Sequence, residues 1–544
     1  MADHLRVLGG DTIAAVATAL TESGIGIIRV SGPDAFAVGS SLFRIRKRRD
    51  NENKSGSSLS SAGSDVDALD AASGKTASAE YASLEYKDVS TYPANTIHFG
   101  YIVDPDLISE EKKSMQVQKS DFSDNEAIVD EVLLAVYHHP HSYTTEDTIE
   151  INTHGGPYVM NKVLSLVLAH GARLAEPGEF TKRAFLGGRI DLSKAEAVMD
   201  LISSQNEFAR KTAVAQLEGS VSDKVKEIRE KILYQNAYIE SALDDPENYD
   251  LTGFPEKLRA VCTDLSRQLE EMISYGKSGR VLKNGIKTVI VGKPNAGKSS
   301  LMNYLAGEER AIVTDVAGTT RDTLEEDVRI GGVVLRLIDT AGIHETQDEV
   351  EKIGVSRAKK AMDDADLILF VLDSSTGISE EDHEIARIVS SKIKEGKRCI
   401  VVQNKSDLPA RISSEDIFDL FRTGTVEKDK KDVVVNYRKI RYITCSLTEK
   451  KGLDSLRDEI ERMFSAGELS QKNEVFLSNT RQLQDAQEAL DSLTQVIASI
   501  DKGMSEDFFS IDLMNAYKAL GRIIGEEVED DLVEEIFSKF CLGK

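Results

Sequence analysis

The chain has 544 residues, enough for about three or four domains at roughly 150 residues each. Its 67 Lys and Arg face 92 Asp and Glu, a formal charge of −25, which excludes indiscriminate binding to a nucleic-acid backbone and leaves only a local basic patch or delivery by a partner. Hydrophobic residues at 40% exclude disorder throughout, four scattered cysteines (Cys262, Cys399, Cys445, Cys541) exclude a disulfide scaffold or zinc ribbon, and no apolar run approaches the roughly 18 residues of a membrane span.

The N-terminus, MADHLRVLGGDTIAAVATA, has no signal-peptide pattern and reads equally as a complete start or a trimmed one. TIAAVAT and GIGIIRVSG predict short strands, the second broken by Ser31-Gly32-Pro33. After the basic cluster RIRKRRD, residues 50–80 hold almost no large apolar side chain. This composition predicts disordered insertions over about 45–90 and again over about 104–126. VDEVLLAVYH and TIEINTHGG restore strand patterning and complete an α+β unit over 1–187. From 188 to 285 the period is helical: Leu192, Ala195, Met199 and Ile202, then Val221, Val225, Ile228 and Ile232. A further helix is predicted from Pro255 to about Tyr275. Over 286–465 five strands, KTVIVG, VVLRLID, DLILFVLD, KRCIVVQNKSD and RYITCS, alternate with helical stretches, the pattern of a parallel sheet. Residues 466–544 return to helix. The simplest architecture is multidomain, an α/β unit inserted into an all-α domain whose two halves pack together.

Chemistry concentrates in the inserted unit. Gly292 to Ser299 reads GKPNAGKS, the GxxxxGK[ST] loop between a strand and the helical SLMNYLAG. Asn295, Ala296, Gly297, Lys298, Ser299 and Ser300 form its cradle. Backbone N–H groups curl around the β-phosphate, Lys298 supplies a point charge, and the Ser299 hydroxyl ligates Mg²⁺. Asp339-Thr340-Ala341-Gly342 ends the strand VVLRLID. Asp339 is placed to hold Mg²⁺ through a water, and the Gly342 N–H to sense the γ-phosphate. Asn404-Lys405-Ser406-Asp407 ends another strand. The Asp407 carboxylate can accept guanine N1–H and N2–H, which adenine does not offer, and Asn404 would bridge the loops and the base edge. Cys445-Ser446-Leu447 follows the last strand, where a backbone N–H meets guanine O6. The usual triplet begins Ser-Ala, and this chain has Cys-Ser. Four elements in this order predict a Ras-like P-loop GTPase domain. Gly318-Thr319-Thr320-Arg321-Asp322 sits as a first switch should, with Thr320 able to complete the Mg²⁺ shell. Where Ras-like enzymes carry a water-orienting Gln, this chain has Ile343, so either another group orients the water or the domain hydrolyses GTP very slowly.

GKPNAGKSSLMN, TDVAGTTRD, DTAGIHETQDEVEKIG, HGGP, PGEFTKRAFLGGRIDLSKAEA and the terminal FCLGK together resemble the MnmE (TrmE) family of tRNA-modification GTPases, over nearly the whole chain except the polar insertions. The resemblance implies a folate-binding N-terminal domain that forms a homodimer, a helical domain, and G domains that meet across the nucleotides with K⁺ beside the phosphates. It places K⁺ ligands at Asn295, Thr314, Val316 and Thr319, where a cation replaces an arginine finger. Glu351 falls where the family's water-orienting glutamate lies; taken alone it reads as a solvated helix charge. The catalytic set is then Glu351 with Thr320, Arg321 and Asp322.

The family's folate site falls on Arg29, Glu150 and Arg189, with Lys544 nearby. A pterin edge suits a carboxylate and a glutamyl tail suits cations; without the resemblance these residues read as strand charges. Cys541 is open to two readings, a nucleophile or an inert cysteine on an apolar face with Val533, Ile536, Phe537 and Phe540. His154 reads as a turn histidine with no accompanying carboxylate, and His138, His139 and His141 lack further ligands at metal spacing.

The implied activity is GTP hydrolysis coupled to modification of the wobble uridine of certain tRNAs. The family does this with a flavoprotein (MnmG) and a one-carbon tetrahydrofolate. A regulatory GTP switch and a ribosome-assembly GTPase are the competing readings. The switch has no use for the folate residues, and the assembly factor would need a basic surface. The insertions hint at an organellar form in a mitochondrion or chloroplast, against the bacterial cytoplasm.

Overall fold

A computed structural model of the chain describes residues 10–46, 84–107, 127–245, 247–249, 251–308, 325–338, 361–422, 440–464, 475–528, 530–541 and 543. The chain divides into two compact units, Met1–Asp191 with Val528–Lys544, and Leu192–Glu527.

The first unit is an eight-stranded sheet with spatial order β4-β3-β5-β6-β7-β2-β1-β8. Its strands are β1 (Thr12–Val16), β2 (Ser23–Ser31), β3 (Phe43–Arg46), β4 (Leu84–Tyr86), β5 (Thr96–Val103), β6 (Ile128–Tyr137), β7 (Thr148–Gly155) and β8 (Ala172–Leu174). Alternation sets the faces. Val132, Leu134 and Val136 of β6 are buried, whereas Glu131 and Leu133 are exposed. The helices Ala35–Leu42 and Pro157–Ala169 cover the apolar face, and their Val38, Leu42, Met160 and Val163 join the strand residues in one core. β2 pairs antiparallel with β7 in a register that sets Arg29 opposite Glu150.

Two expectations change here. Leu84–Tyr86 pairs with β3, so the end of the first predicted insertion is a strand. The remainder of both predicted insertions, 47–83 and 108–126, lies outside the described residues. The segment from Val528 onward, assigned by periodicity to the helical half, belongs to the first unit. The Phe537 ring of helix Asp530–Ser538 packs 6.1 Å from that of Phe185, and the Gly178 N–H donates to the Cys541 carbonyl at 3.3 Å. An apolar stripe states which face is buried, not against what.

In the second unit, helices Ser220–Asp244, Phe254–Asn284, Thr480–Asp501 and Glu506–Ile524 share one core. Ile228, Leu265, Leu493 and Leu520 all lie in it, so the halves flanking the inserted domain do pack together. The second helix runs beyond Tyr275 to Asn284. Gly276 does not stop it: a Cβ there would meet Leu483 Cδ2 at 2.8 Å, so that glycine serves close helix packing.

The inserted domain carries six strands: β9 (Ile286–Val291), β10 (Glu325–Ile330), β11 (Val333–Ile338), β12 (Leu367–Asp373), β13 (Arg398–Asn404) and β14 (Arg441–Thr444). Their order is β10-β11-β9-β12-β13-β14. β10, with the charged sequence EEDVRI, was not anticipated; it pairs antiparallel with β11, while the other pairings are parallel. β9 has β11 on one side and β12 on the other, so the connections diverge at its C-terminal end and open a crevice there. Among the described residues, no helix is long and apolar enough to cross a membrane.

Candidate functional site

The loop after β9 is shaped by glycines where it must approach other backbone. Gly292 (φ +153°) passes so near β12 that a Cβ would meet the Val371 carbonyl at 2.4 Å. Gly297 (φ +109°) lies against Asn404, whose Nδ2 a Cβ would meet at 2.1 Å. Asn295 takes φ +59°, a left-handed conformation that Asn tolerates. The helix Lys298–Glu308 starts at the end of this loop and aims its N-terminus at it. Lys298 Nζ donates to the carbonyls of Gly292 and Lys293, each at 2.9 Å. Burial lowers its pKa, and an anion beside it would stabilise the ammonium.

Asn404 ties the two loops. Its Nδ2 donates to the Ala296 carbonyl at 2.9 Å, and its Oδ1 accepts from the Leu447 N–H at 3.2 Å. Lys405 (φ +64°) pairs with Asp373 at 2.6 Å. Burial pushes the Asp373 carboxyl up, but Lys405 and the Ser375 donors outweigh it and hold it below the ordinary value. Ser446 Oγ donates to Asp407 Oδ1 at 2.6 Å.

This arrangement corrects the register of the last motif. Cys445 is fully buried in the core and burial pushes its thiol up to about 11, so it presents no polar group to a base. The Ser position of the usual Ser-Ala pair falls on Ser446, and Leu447 follows it. Sequence reasoning also missed Lys293. Its ammonium bonds Asp382 Oδ2 at 2.9 Å and Thr376 Oγ1 at 3.0 Å. Thr314, Val316, Thr319, Thr320, Arg321, Asp322, Asp339, Thr340, Ala341, Gly342, Ile343 and Glu351 lie outside the described residues, as do Leu542 and Lys544.

A second candidate site lies in the first unit. A cavity of about 590 Å³ is lined by Arg29, Glu150, Arg189, Tyr143 and Ser142, among others. Arg29 Nε donates to Glu150 Oε1 at 2.8 Å, and its Nη1 to the Gly543 carbonyl at 3.3 Å. Its guanidinium lies 5.1 Å from the Tyr143 ring centroid, and that of Arg189 lies 4.9 Å from the same ring. Arg189 also donates to the Tyr143 carbonyl at 2.8 Å. Cationic and carboxylate groups thus face one concave space beside an aromatic ring, a set suited to a flat heterocycle with an acidic tail.

The remaining candidates are placed as follows. Cys541 is exposed, while Val533, Phe537 and Phe540 are buried, so it is not the half-buried cysteine of the apolar face. His154 does have a carboxylate beside it: its Nδ1 lies 2.7 Å from Asp130 Oδ1, and its N–H donates to Oδ2 at 2.8 Å. Asp130 raises the His154 pKa through that bond. The His138 ring bonds the Tyr92 carbonyl and the His139 ring the Thr145 carbonyl.

Comparison with known proteins agrees with the motifs. A family model described as the MnmE helical domain matches residues 192–541, and one described as the GTP-binding protein TrmE N-terminus matches 12–189. The protein named tRNA modification GTPase MnmE of Lachnoclostridium phytofermentans is 44% identical over 98% of this chain and 99% of its own length. Those of Lactobacillus gasseri and Geobacillus kaustophilus are 40% and 41% identical, again over 98% of this chain and 98% and 99% of their own lengths. A crystal structure of Aquifex aeolicus Era is 27% identical over 38% of this chain and 66% of that chain, with a TM-score of 0.24. With relatives this similar from end to end, and a helical-domain model spanning most of the chain, the protein belongs to the MnmE (TrmE) family.

Proposed function

We propose that this chain hydrolyses GTP and that the hydrolysis cycle gates modification of tRNA. The observation that carries the reading is the convergence of Lys298, Asn404, Asp407 and Ser446 around one crevice. Asp407, oriented by the Ser446 hydroxyl, reads guanine N1–H and N2–H. The loop N–H groups and Lys298 hold the phosphates, and Ser300 lies in the first turn of the helix beneath them. Mg²⁺, when bound, neutralises charge between the β- and γ-phosphates; Ser299, Thr320 and Asp339 would hold it. K⁺ beside Asn295, Thr314, Val316 and Thr319 would supply the charge of an arginine finger. Glu351 would orient the attacking water that Ile343 cannot, with Thr320, Arg321 and Asp322 in the adjoining switch.

The finer reaction rests on family membership. A homodimer, paired with an MnmG-like flavoprotein, would use a 5-formyl- or methylene-tetrahydrofolate to place a carboxymethylaminomethyl or aminomethyl group at C5 of the wobble uridine. The first-unit cavity supports the folate step: Glu150 suits the pterin edge, Arg29 and Arg189 the acidic groups. It also disfavours the pure switch, which needs no such cavity. Lys544 would close the site, and a chemical role for Cys541 stands as an alternative to a merely exposed thiol. The bacterial relatives favour a cytoplasmic setting and lend nothing to an organellar one.

The test is GTP turnover in K⁺ against Na⁺, at increasing protein concentration, with and without the flavoprotein. Turnover that needs K⁺ and rises with concentration is expected. Equal rates in both salts would remove the K⁺-bridged dimer, and no turnover in either would remove the GTPase reading. Failure to bind 5-formyl-tetrahydrofolate would favour the switch.

A further inference from the structure

Lys293 is a non-glycine position of the phosphate loop whose side chain is mostly buried against a carboxylate that is completely buried. That carboxylate, Asp382, caps the helix Glu380–Lys394. Its Oδ2 accepts from the Ser379 N–H at 2.9 Å and the Ser379 hydroxyl at 2.8 Å, and from Lys293 Nζ at 2.9 Å. Its Oδ1 is buried and has no hydrogen-bond partner among the described residues. The ammonium therefore carries much of the compensation for a charge removed from water. Lys293 also bonds the hydroxyl of Thr376, in the turn that follows β12.

The backbone of the same residue faces the phosphate side. The Lys293 carbonyl accepts from Lys298 Nζ at 2.9 Å and from the Ala296 N–H at 3.3 Å. One residue thus joins a rigid helix cap to the lysine that meets the phosphates. We propose that Lys293 is a positioning residue for nucleotide binding: the Asp382–Lys293 ion pair fixes the first half of the loop, and through the Lys293 carbonyl it sets where the Lys298 ammonium stands. A loop held in its binding shape loses less entropy when the phosphates arrive. The link acts on the diphosphate, which GDP and GTP share, and leaves base choice to Asp407.

This inference rests on the GTP reading, and the test separates the two. The full chain is compared as wild type, Lys293→Met, Lys293→Arg and Lys298→Ala, by equilibrium binding of GDP and of a non-hydrolysable GTP analogue, with thermal melting alongside. Lys293→Met should weaken both nucleotides about tenfold by the same factor, with guanine preference over xanthine unchanged. Lys293→Arg, which can still reach Asp382, should recover most of that loss. If wild type binds neither nucleotide, the GTP reading fails. If wild type binds and Lys298→Ala does not, while Lys293→Met binds as wild type, only the positioning role fails. Should Lys293→Met prove too unstable to assay, Asp382→Asn keeps the cap acceptor while removing the charge. Unchanged GDP affinity in that variant would likewise overturn the proposal.

Discussion

In the crevice of the second unit, the contacts that shape the phosphate loop itself are short in sequence. Lys298 turns back onto carbonyls five and six residues before it, and Gly292 and Gly297 bend the chain within one turn. In the cavity of the first unit, Arg29 and Glu150 stand 121 residues apart and meet because β2 and β7 pair in one register. The phosphate loop is a local conformation that a short motif can specify. The cavity is a product of topology, and a slip of one residue in that pairing would carry Arg29 to the opposite face of the sheet. Damage should spread differently. A loop substitution perturbs one ligand and leaves the other site intact, whereas a strand substitution alters a pair whose remaining member is left partly buried and uncompensated.

The sharpest test of the local site is its base reader. Asp407→Asn presents an N–H where the carboxylate accepted. It should invert the GTP-to-XTP preference, by a swing of about 10⁴-fold for a site built on paired hydrogen bonds, read by competitive nucleotide binding. Retained GTP preference would remove Asp407 from the base site. Next in size, Lys298→Ala should cost about 3 kcal/mol of GTP affinity, roughly a hundredfold, while binding of 5-formyl-tetrahydrofolate stays as in wild type. A parallel loss of folate affinity would show that the two sites are not independent.

The topological site gives a smaller effect. Arg29→Ala removes a charge-assisted bond and should weaken 5-formyl-tetrahydrofolate binding about tenfold, at roughly 1.5 kcal/mol for such a bond, with GTP affinity unchanged. It should also lower the melting temperature, because Glu150 loses its partner at 18% side-chain exposure. Loss of folate binding without any change in melting would mean that the pair acts only on the ligand.

The smallest effect concerns the pair Asp130–His154, again on adjacent strands β6 and β7. Asp130 raises the His154 pKa in the folded chain. Its stabilisation is therefore fully present below the ordinary histidine value near 6.5 and fades as pH rises through the raised folded value. The imidazole is 71% exposed, so solvent screens most of this. Melting of wild type against His154→Asn should differ by about a degree or less at pH 5.5–6, on the order expected for a few tenths of a kcal/mol, and the difference should shrink by pH 8.5. A gap that grows with pH would contradict the assignment.

How much of this was legible follows the same division. The phosphate loop could be read because glycine spacing is itself the geometry, and Asp407 because a strand end fixes where it stands. Cys445 was read one residue out of register, since the burial of its side chain is a tertiary fact. The antiparallel β10 was missed because EEDVRI carries too little apolar alternation to announce a strand. The meeting of Arg29 with Glu150 was accessible only through resemblance, because nothing in either local sequence names the other. The helix predicted to end near Tyr275 runs on to Asn284, and the stripe Val533, Phe537, Phe540 did not say which unit it would cover.

The return of residues 528–543 to the first unit has a consequence for synthesis. On a ribosome, the strands of that unit emerge first, but the carbonyl that Arg29 bonds, at Gly543, arrives only after the whole second unit. At about 5–20 residues per second, some 350 further residues take roughly 18–70 seconds. During that interval the sheet can form while the Arg29 end of the cavity stands unfinished. A chain clipped by a protease after Glu527 would keep the residues of the nucleotide crevice and lack the Gly543 carbonyl that Arg29 bonds.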